Sequence, residues 1–212
     1  MATQWFSVPG RGEDRERWHG LEGPDFVVLE AHAHRRKLPR GALASNHFTI
    51  RLRAFTGDRD ALRERLEALR ARGAPNYFGA QRFGKGGANL DRIGRIDGLR
   101  RHERGFVLSA ARSLIFNAVL AERVAAGDWE RLAPGDVAML DGRSSVFPVE
   151  TVDAALAERC ERLEVHPTGA LWGAGETMTQ GRIAAMEAKI AASTRGSSWA
   201  ASATTKIGRA HV

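Results

Sequence analysis

The sequence predicts an α+β fold, and three features of the residue pattern lead to that prediction. Two short segments with strand patterns come early, a capped amphipathic helix follows them, and the second half returns to a helical period. The 212 residues suffice for one sizeable core or for two smaller domains. Because 43% of the residues are hydrophobic and 27% are charged, the composition is that of a globular protein rather than a disordered one.

Strand patterns occur in two places before residue 55. Residues 26–31 form a short apolar run, and Phe48, Ile50 and Leu52 alternate with polar residues at the period of a strand. We predict a strand at each place, and with the helix that follows they indicate an α+β layer.

A helical period replaces the strand pattern at residue 58. From residue 62 onward, three leucines recur at the spacing of one helix face, and Asp58 or Asp60 can cap the N-terminus. Gly73 follows the last turn, where a glycine commonly ends a helix. The pattern predicts an amphipathic helix over 58–72.

The second half of the chain is predicted to be mostly helical. Residues 76–104 are rich in Gly, Arg and Asn without a sustained period, so they are predicted to form a loop before a long helix over 106–126. Shorter helices are predicted near 152–163 and 182–192. The change in pattern indicates a boundary between two domains near 97–105.

Charge is concentrated in the middle of the chain. The formal net charge is +7, but residues 1–34 carry −3, residues 35–104 carry +11 and residues 105–212 carry −1. A basic segment of this kind fits a polyanion partner, because each Lys or Arg that meets a phosphate releases counterions. Charge alone leaves a solvated basic surface as an equally good interpretation.

Several classes of protein are disfavoured by composition. No uninterrupted apolar run approaches the roughly eighteen residues of a membrane span, and the N-terminus lacks a signal-peptide core, so a cytoplasmic location is predicted. The single cysteine, Cys160, excludes an internal disulfide framework and is predicted to be a core thiol. His32 and His34 could face one way on a strand as metal ligands, but no third ligand lies nearby in the sequence.

The segment that indicates chemistry runs from residue 76 to 89. It holds Tyr77, Phe78 and Phe83 beside Arg82 and Lys85, among several glycines. Aromatic rings stack on unpaired bases while cations hold phosphates, which is how proteins grip flipped or single-stranded nucleotides. A buried aromatic turn with an ion-paired arginine remains the alternative interpretation.

The same segment contains the start of a phosphate-binding loop. Residues 79–85 match G-x-x-x-x-G-K, but Gly86 replaces the Ser or Thr that would contact Mg²⁺, and Pro75 is unsuited to the preceding strand. A nucleotide hydrolase is therefore a disfavoured alternative.

The run NYFGAQRFG at 76–84 closely resembles the signature of the TruD family of tRNA pseudouridine synthases. Further segments resemble that family in the same order over about residues 2–192. They are ATQWFSV at 2–8, KLPRGAL at 37–43 with NHFTI at 46–50, LSAARS at 108–113 with FN at 116–117, and HPTG at 166–169 with LWG at 171–173.

The resemblance implies two family domains. Residues 1–100 are expected to be part of a pseudouridine synthase catalytic domain, a mixed sheet with helices, and 101–194 part of a mostly helical insertion domain special to TruD. The implied reaction converts uridine 13 of tRNA to pseudouridine without a metal or organic cofactor. The expected partner is tRNA, with no membrane, and the expected state is a monomer.

The resemblance also assigns roles to individual residues. Phe78 is expected to stack on the target uracil and Asn76 to orient the loop around it, with Arg82, Lys85 and Tyr77 as further RNA contacts. No catalytic residue is expected within the chain, because the family's nucleophilic aspartate belongs to a G-x-K-D segment just before the stretch that matches residues 2–8. The chain alone is thus expected to bind RNA without turnover.

The last eighteen residues, 195–212, do not resemble the family. The final six, IGRAHV, can be encoded by the start of a common sequencing adapter, and one codon choice for 196–205 read in a shifted frame resembles the family continuation. A frameshift near residue 195 is therefore a hypothesis, which the nucleotide sequence of the gene would test.

Overall fold

A computed structural model describes residues 3–10, 15–39, 47–194 and 207–212. The chain divides into two compact units, Met1–Phe55 and Thr56–Val212. The predicted domain boundary near residue 100 concerns family domains rather than these units, and it stays a prediction.

The first unit has short regular elements in its described part. Helix α1 is Arg15–Trp18, and strands β1, Glu22–Gly23, and β2, Phe26–Val27, form an antiparallel hairpin in which Glu22 lies opposite Val27. The strand predicted over 26–31 is thus limited to its first two residues.

The strand predicted from the alternation of Phe48, Ile50 and Leu52 is wrong. Residues 47–53 are irregular, and these three side chains are 80%, 80% and 62% exposed. An alternating sequence forms a strand only where another strand supplies hydrogen bonds and a covering layer. Within the described ranges, no strand pairs with this segment.

Helix α2, Arg59–Arg72, confirms the first helix prediction and its ends. The Asp58 carboxylate accepts hydrogen bonds from the backbone N–H groups of Asp60 and Ala61, at 2.8 and 3.3 Å. At the other end the N–H of Gly73, which has a φ of +77°, donates to the Leu69 carbonyl. These caps satisfy backbone groups that the helix leaves unpaired.

The glycine-rich stretch is built from short turns, as the absence of a period predicted. It comprises 3-10 turns at Ala80–Phe83, Lys85–Gly87 and Ile93–Gly98, and helix α3, Ala88–Asp91. Helix α4, Arg101–Ala126, follows and begins five residues before its predicted start. It ends at Gly127 in the left-handed conformation.

A four-stranded antiparallel sheet, not predicted from the sequence, follows α4 and confirms the α+β class. Strand β5, Val165–Leu171, pairs with β3 on one side and β6 on the other, and β4 lies beyond β3. The remaining strands are β3, Val137–Leu140, β4, Val146–Pro148, and β6, Gly208–His211.

Helices α5, Ala154–Glu161, and α6, Gly181–Ser193, confirm the two shorter helix predictions. Helix α4 packs against both β5 and α6. Three apolar clusters result. The first joins α4 and α6 through Ala111, Ile115, Val119 and Ala191; the second contains Leu132, Ala138, Val149, Cys160 and Val165; the third contains Phe116, Leu120 and Val212.

Cys160 and the apolar helix α4 were both considered in the sequence analysis. Cys160 is buried in the second cluster, as predicted for a core thiol. Although Arg112 interrupts its apolar sequence, α4 is long and apolar enough to cross a membrane by length and composition alone, a test that buried core helices also meet.

The C-terminal residues form the outer strand of the sheet. Gly169 on β5 lies opposite Ala210 on β6, and Val212 is buried. Residues 195–206 lie outside the described residues, and the origin proposed for this tail from its codons stays a prediction.

Candidate nucleic-acid interface

Phe78 is held by its own main chain to the middle of α4. The side-chain amide of Asn117 accepts a hydrogen bond from the Phe78 N–H and donates one to the Phe78 carbonyl, both at 2.9 Å. One amide group thus satisfies both backbone groups of a residue 39 positions earlier. The loop 76–84 is pinned to α4 at the residue expected to stack on a base.

The ring of Phe78 has an aromatic neighbour and a cationic one. Phe116 meets it edge-on, with ring centroids 5.2 Å apart and planes at 72°. The guanidinium carbon of Arg82 lies 4.9 Å from the Phe78 ring centroid, within the range of a cation–π interaction. Arg82 also donates from Nη1 to Ser109 Oγ at 3.0 Å.

These contacts border a cavity of about 200 Å³ between the loop, α4 and the end of β5. Five of its lining residues come from consecutive turns near the start of α4, and Leu171 comes from β5. The described lining residues are Phe78, Arg82, Gly105, Leu108, Ser109, Arg112, Ser113 and Leu171, and none of them is acidic.

Arg112 is the half-buried cation of this cavity. Its Nη2 donates to the Leu171 carbonyl at 2.9 Å, which ties α4 to β5. Burial lowers the pKa of Arg112 from its ordinary value, because removal from water disfavours the charged form. The guanidinium nevertheless remains protonated, so the cavity keeps a positive charge.

The five residues predicted to contact RNA are only partly brought together. Phe78 and Arg82 line the cavity, whereas Asn76, Tyr77 and Lys85 are exposed and lie outside its lining. Their roles stay predictions.

The alternative of an ion-paired arginine in a buried turn does not describe Arg82. Its side chain is exposed, and in the described part of the chain no carboxylate lies within ion-pair distance of it. Its partners are an aromatic ring and a hydroxyl group. Neither neutralises its charge.

The G-x-x-x-x-G-K segment does not adopt the arrangement that a phosphate-binding loop requires. Residues 74–78 are irregular rather than a strand, and Lys85 begins a 3-10 turn instead of leading into a long helix.

His32 lies 3.1 Å from Glu30 Oε2, and His34 Nδ1 lies 2.7 Å from the Arg36 carbonyl oxygen. Among the described residues, no three His, Cys, Asp or Glu side chains cluster as a metal site would require.

The chain matches the family model described as tRNA pseudouridine synthase D (TruD) over residues 1–96 and 94–198. The chain belongs to the TruD family. This membership covers both the loop 76–84 and the face of α4 on which it lies.

Relatives in the TruD family support the same assignment. The chain is 44% identical over 198 residues to tRNA pseudouridine synthase D of Nitrosococcus oceani. The aligned residues make up 91% of this chain and 55% of that protein. It is 45% identical over 192 residues to tRNA pseudouridine synthase D of Methylococcus capsulatus, with 88% and 54% covered. The chain therefore spans about half the length of the curated TruD relatives it matches.

The site residues on α4 were not singled out from the sequence. Ser109, Arg112, Ser113 and Asn117 are polar residues within an otherwise apolar helix. The first three recur at i, i+3 and i+4, which places them on one helix face. That spacing within the LSAARS segment was a usable signal for a polar surface.

Proposed function

We propose that the protein to which this chain belongs converts uridine 13 of tRNA to pseudouridine, and that the described residues hold the target nucleotide. The supporting observation is the Phe78 ring, which is fixed through its backbone to α4 and bordered by two arginines with no acidic lining residue. An aromatic plane beside cations suits an unpaired base and its phosphates.

Arg82 determines how a base would reach the ring. Its guanidinium occupies a position over the Phe78 ring. An incoming uracil either displaces this group or stacks on it, and guanidinium planes also stack on bases. In both cases Arg82 remains beside the nucleotide, where its charge can meet a phosphate.

The reaction needs a carboxylate nucleophile, which attacks the nucleotide so that the base can be detached, rotated and rejoined through carbon. Asp91 and Asp97 are the first two acidic residues after the loop 76–84. Both are exposed, Asp97 pairs with Arg104 at 3.6 Å, and neither lines the cavity. We therefore expect the residues around Phe78 to bind RNA, while the nucleophile comes from elsewhere in the protein.

The test uses the 212-residue chain and a protein extended to the full length of its relatives. Each is incubated with an unmodified tRNA transcript, and pseudouridine is mapped chemically. We expect binding by both proteins and product at position 13 from the extended one. A complete protein that binds no tRNA and forms no pseudouridine would contradict the proposal.

Phe78 provides the residue-level test in the extended protein. Phe78→Ala should weaken tRNA binding by about 1–3 kcal/mol and sharply lower turnover, because a stacking face is lost. Phe78→Tyr keeps an aromatic face and serves as the matched control. Equal activity of the alanine and tyrosine variants would assign Phe78 to packing alone.

tRNA binding without any turnover is the second candidate function. It is favoured by the absence of a carboxylate from the described cavity lining. Product from the extended protein that disappears when its restored aspartate is changed to asparagine would decide for the synthase. A cytoplasmic location follows from either function, since the substrate is tRNA.

A further inference from the structure

The cavity beside Phe78 is lined by two arginines and two hydroxyl residues, and the family resemblance gives a role only to Arg82 among them. Ser109, Arg112 and Ser113 come from one face of α4, and Arg82 reaches over from the loop 76–84 to donate to Ser109. Residues up to 31 positions apart in sequence thus present donors to one small space. No described lining residue is acidic.

Keeping this cluster together has an electrostatic cost. Arg112 is half-buried in the cavity, where loss of water opposes its charged state, and Arg82 brings a second guanidinium group to the same lining. An anion in the cavity would offset the loss of water, and charge-assisted hydrogen bonds to guanidinium groups are stronger than neutral ones. The arrangement is typical of an anion site.

The size of the cavity limits which part of an RNA it can take. At about 200 Å³ it is smaller than the roughly 300–1,000 Å³ of pockets that enclose whole small ligands. A tetrahedral phosphate group fits such a space, whereas a complete nucleotide does not. The adjoining Phe78 ring supplies the stacking surface that a base needs.

We propose that this cavity binds a single phosphodiester group of the RNA, next to the nucleotide that stacks on Phe78. Arg82 and Arg112 supply charge and fork-shaped donors, and the hydroxyls of Ser109 and Ser113 complete the donor set. This proposal rests on the proposed function, because the phosphate belongs to the tRNA substrate. It adds a second anchoring point to the stacked base.

The experiment measures coupling between Arg112 and one phosphate. The 212-residue chain and its Arg112→Gln variant are titrated with an unmodified tRNA and with the same tRNA carrying one uncharged methylphosphonate, placed in turn at each phosphate flanking position 13. We expect Arg112→Gln to weaken binding of the native tRNA about tenfold, the scale of a charge-assisted hydrogen bond. With the methylphosphonate at the contacted position, we expect the variant and the unaltered chain to bind equally.

Arg143→Gln is the matched control. Arg143 is an exposed arginine in the turn between β3 and β4 and does not line the cavity, so its variant removes the same charge. We expect its small effect on affinity to be the same for native and methylphosphonate tRNA. Arg112→Lys keeps the charge but not the fork and should fall between Arg112→Gln and the unaltered chain.

Folding is checked by circular dichroism, because Arg112 also contacts the Leu171 carbonyl. If Arg112→Gln is unfolded, the same titrations with native and methylphosphonate tRNA are made with Arg82→Gln, because the Arg82 side chain is exposed. Equal losses on both RNAs, as for the control, would overturn the phosphate site while leaving the proposed function standing. An unaltered chain that binds no tRNA would overturn the phosphate site, whereas the proposed function is decided by the complete protein.

Discussion

Asn117 holds Phe78 in place in the candidate site. Its amide donates and accepts one hydrogen bond each with the backbone of Phe78, at 2.9 Å. Because both hydrogen bonds are made to the backbone of Phe78, they do not depend on which side chain stands at position 78. Asn117 is therefore a positioning residue, because it holds the main chain from which the stacking ring projects.

Asn117→Ala should destabilise the protein and also weaken RNA binding. The Phe78 N–H and carbonyl would lose their partners in a half-buried position, which costs about 1–3 kcal/mol. The free energy of unfolding is measured with urea, and the Kd for tRNA by titration. Glu122→Ala, at an exposed position of the same helix, is the control and should change stability by less than about 0.5 kcal/mol.

A double-mutant cycle separates positioning from general stability. If Asn117 acts through Phe78, the losses in tRNA affinity from Asn117→Ala and Phe78→Ala should not add. Fully additive losses would show that Asn117 supports binding by another route.

At the scale of elements, α4 carries the site and its start is stabilised by one carboxylate. Glu103 accepts hydrogen bonds from Arg92 Nη2 at 2.6 Å and from the Arg100 N–H at 3.3 Å. The pKa of Glu103 lies below its ordinary value. The hydrogen bond from Arg92 is the largest cause, and the hydrogen bond from the Arg100 N–H is the next. A carboxylate in the first turn also interacts favourably with the positive, N-terminal end of the helix dipole.

The pH dependence of stability follows from the direction of that shift. A carboxyl group whose pKa is lower in the folded state stabilises the protein above its unfolded pKa, and this is lost as pH falls through the folded value. Glu103→Gln should therefore lower the Tm at neutral pH, and the difference should shrink as the pH falls below about 4.3, the ordinary glutamate value. Glu122→Gln controls for removal of a charge; a difference that persists at low pH would contradict the prediction.

The packing of α4 on β5 depends on a glycine. A Cβ at Gly169 would lie 2.9 Å from two ring carbons of Phe116, the residue that meets the Phe78 ring edge-on. Gly169→Ala should cost about 1–3 kcal/mol of unfolding free energy, because the ring or the helix must shift. Gly94→Ala is the control, since no atom lies within 4 Å of its added Cβ. Equal urea midpoints for the two variants would show that the Phe116 ring yields at no cost.

For the whole molecule, the distribution of charge predicts how tRNA binding responds to salt. Residues 35–104 carry a net charge of +11, and this segment contains the loop 76–84. Each phosphate contact should contribute about −0.9 to the slope of log K against log salt for duplex RNA regions, taking the duplex DNA value, and about −0.7 for single strands. We expect a slope of several units in titrations from 50 to 200 mM salt; affinity that is independent of salt would contradict the prediction.

The family, the α+β class and the helices after residue 58 could be predicted from the order of the residues alone. Helix ends such as Asp58 and Gly73 depend on neighbours within a few residues, and a run such as NYFGAQRFG identifies relatives wherever it lies in space. Both kinds of information are local, so they can be read along the chain.

The strand pairing and the cavity could not be predicted from the residue order and were found in the folded structure. Strand β5 is defined by partners about thirty residues before it and forty after it, and the alternating segment around Ile50 remains irregular where no described strand pairs with it. The Phe78–Asn117 and Arg82–Ser109 contacts likewise join residues 39 and 27 positions apart. Hydrogen bonds and packing act between atoms that are close in space, and the chain order does not state which distant residues the fold brings together.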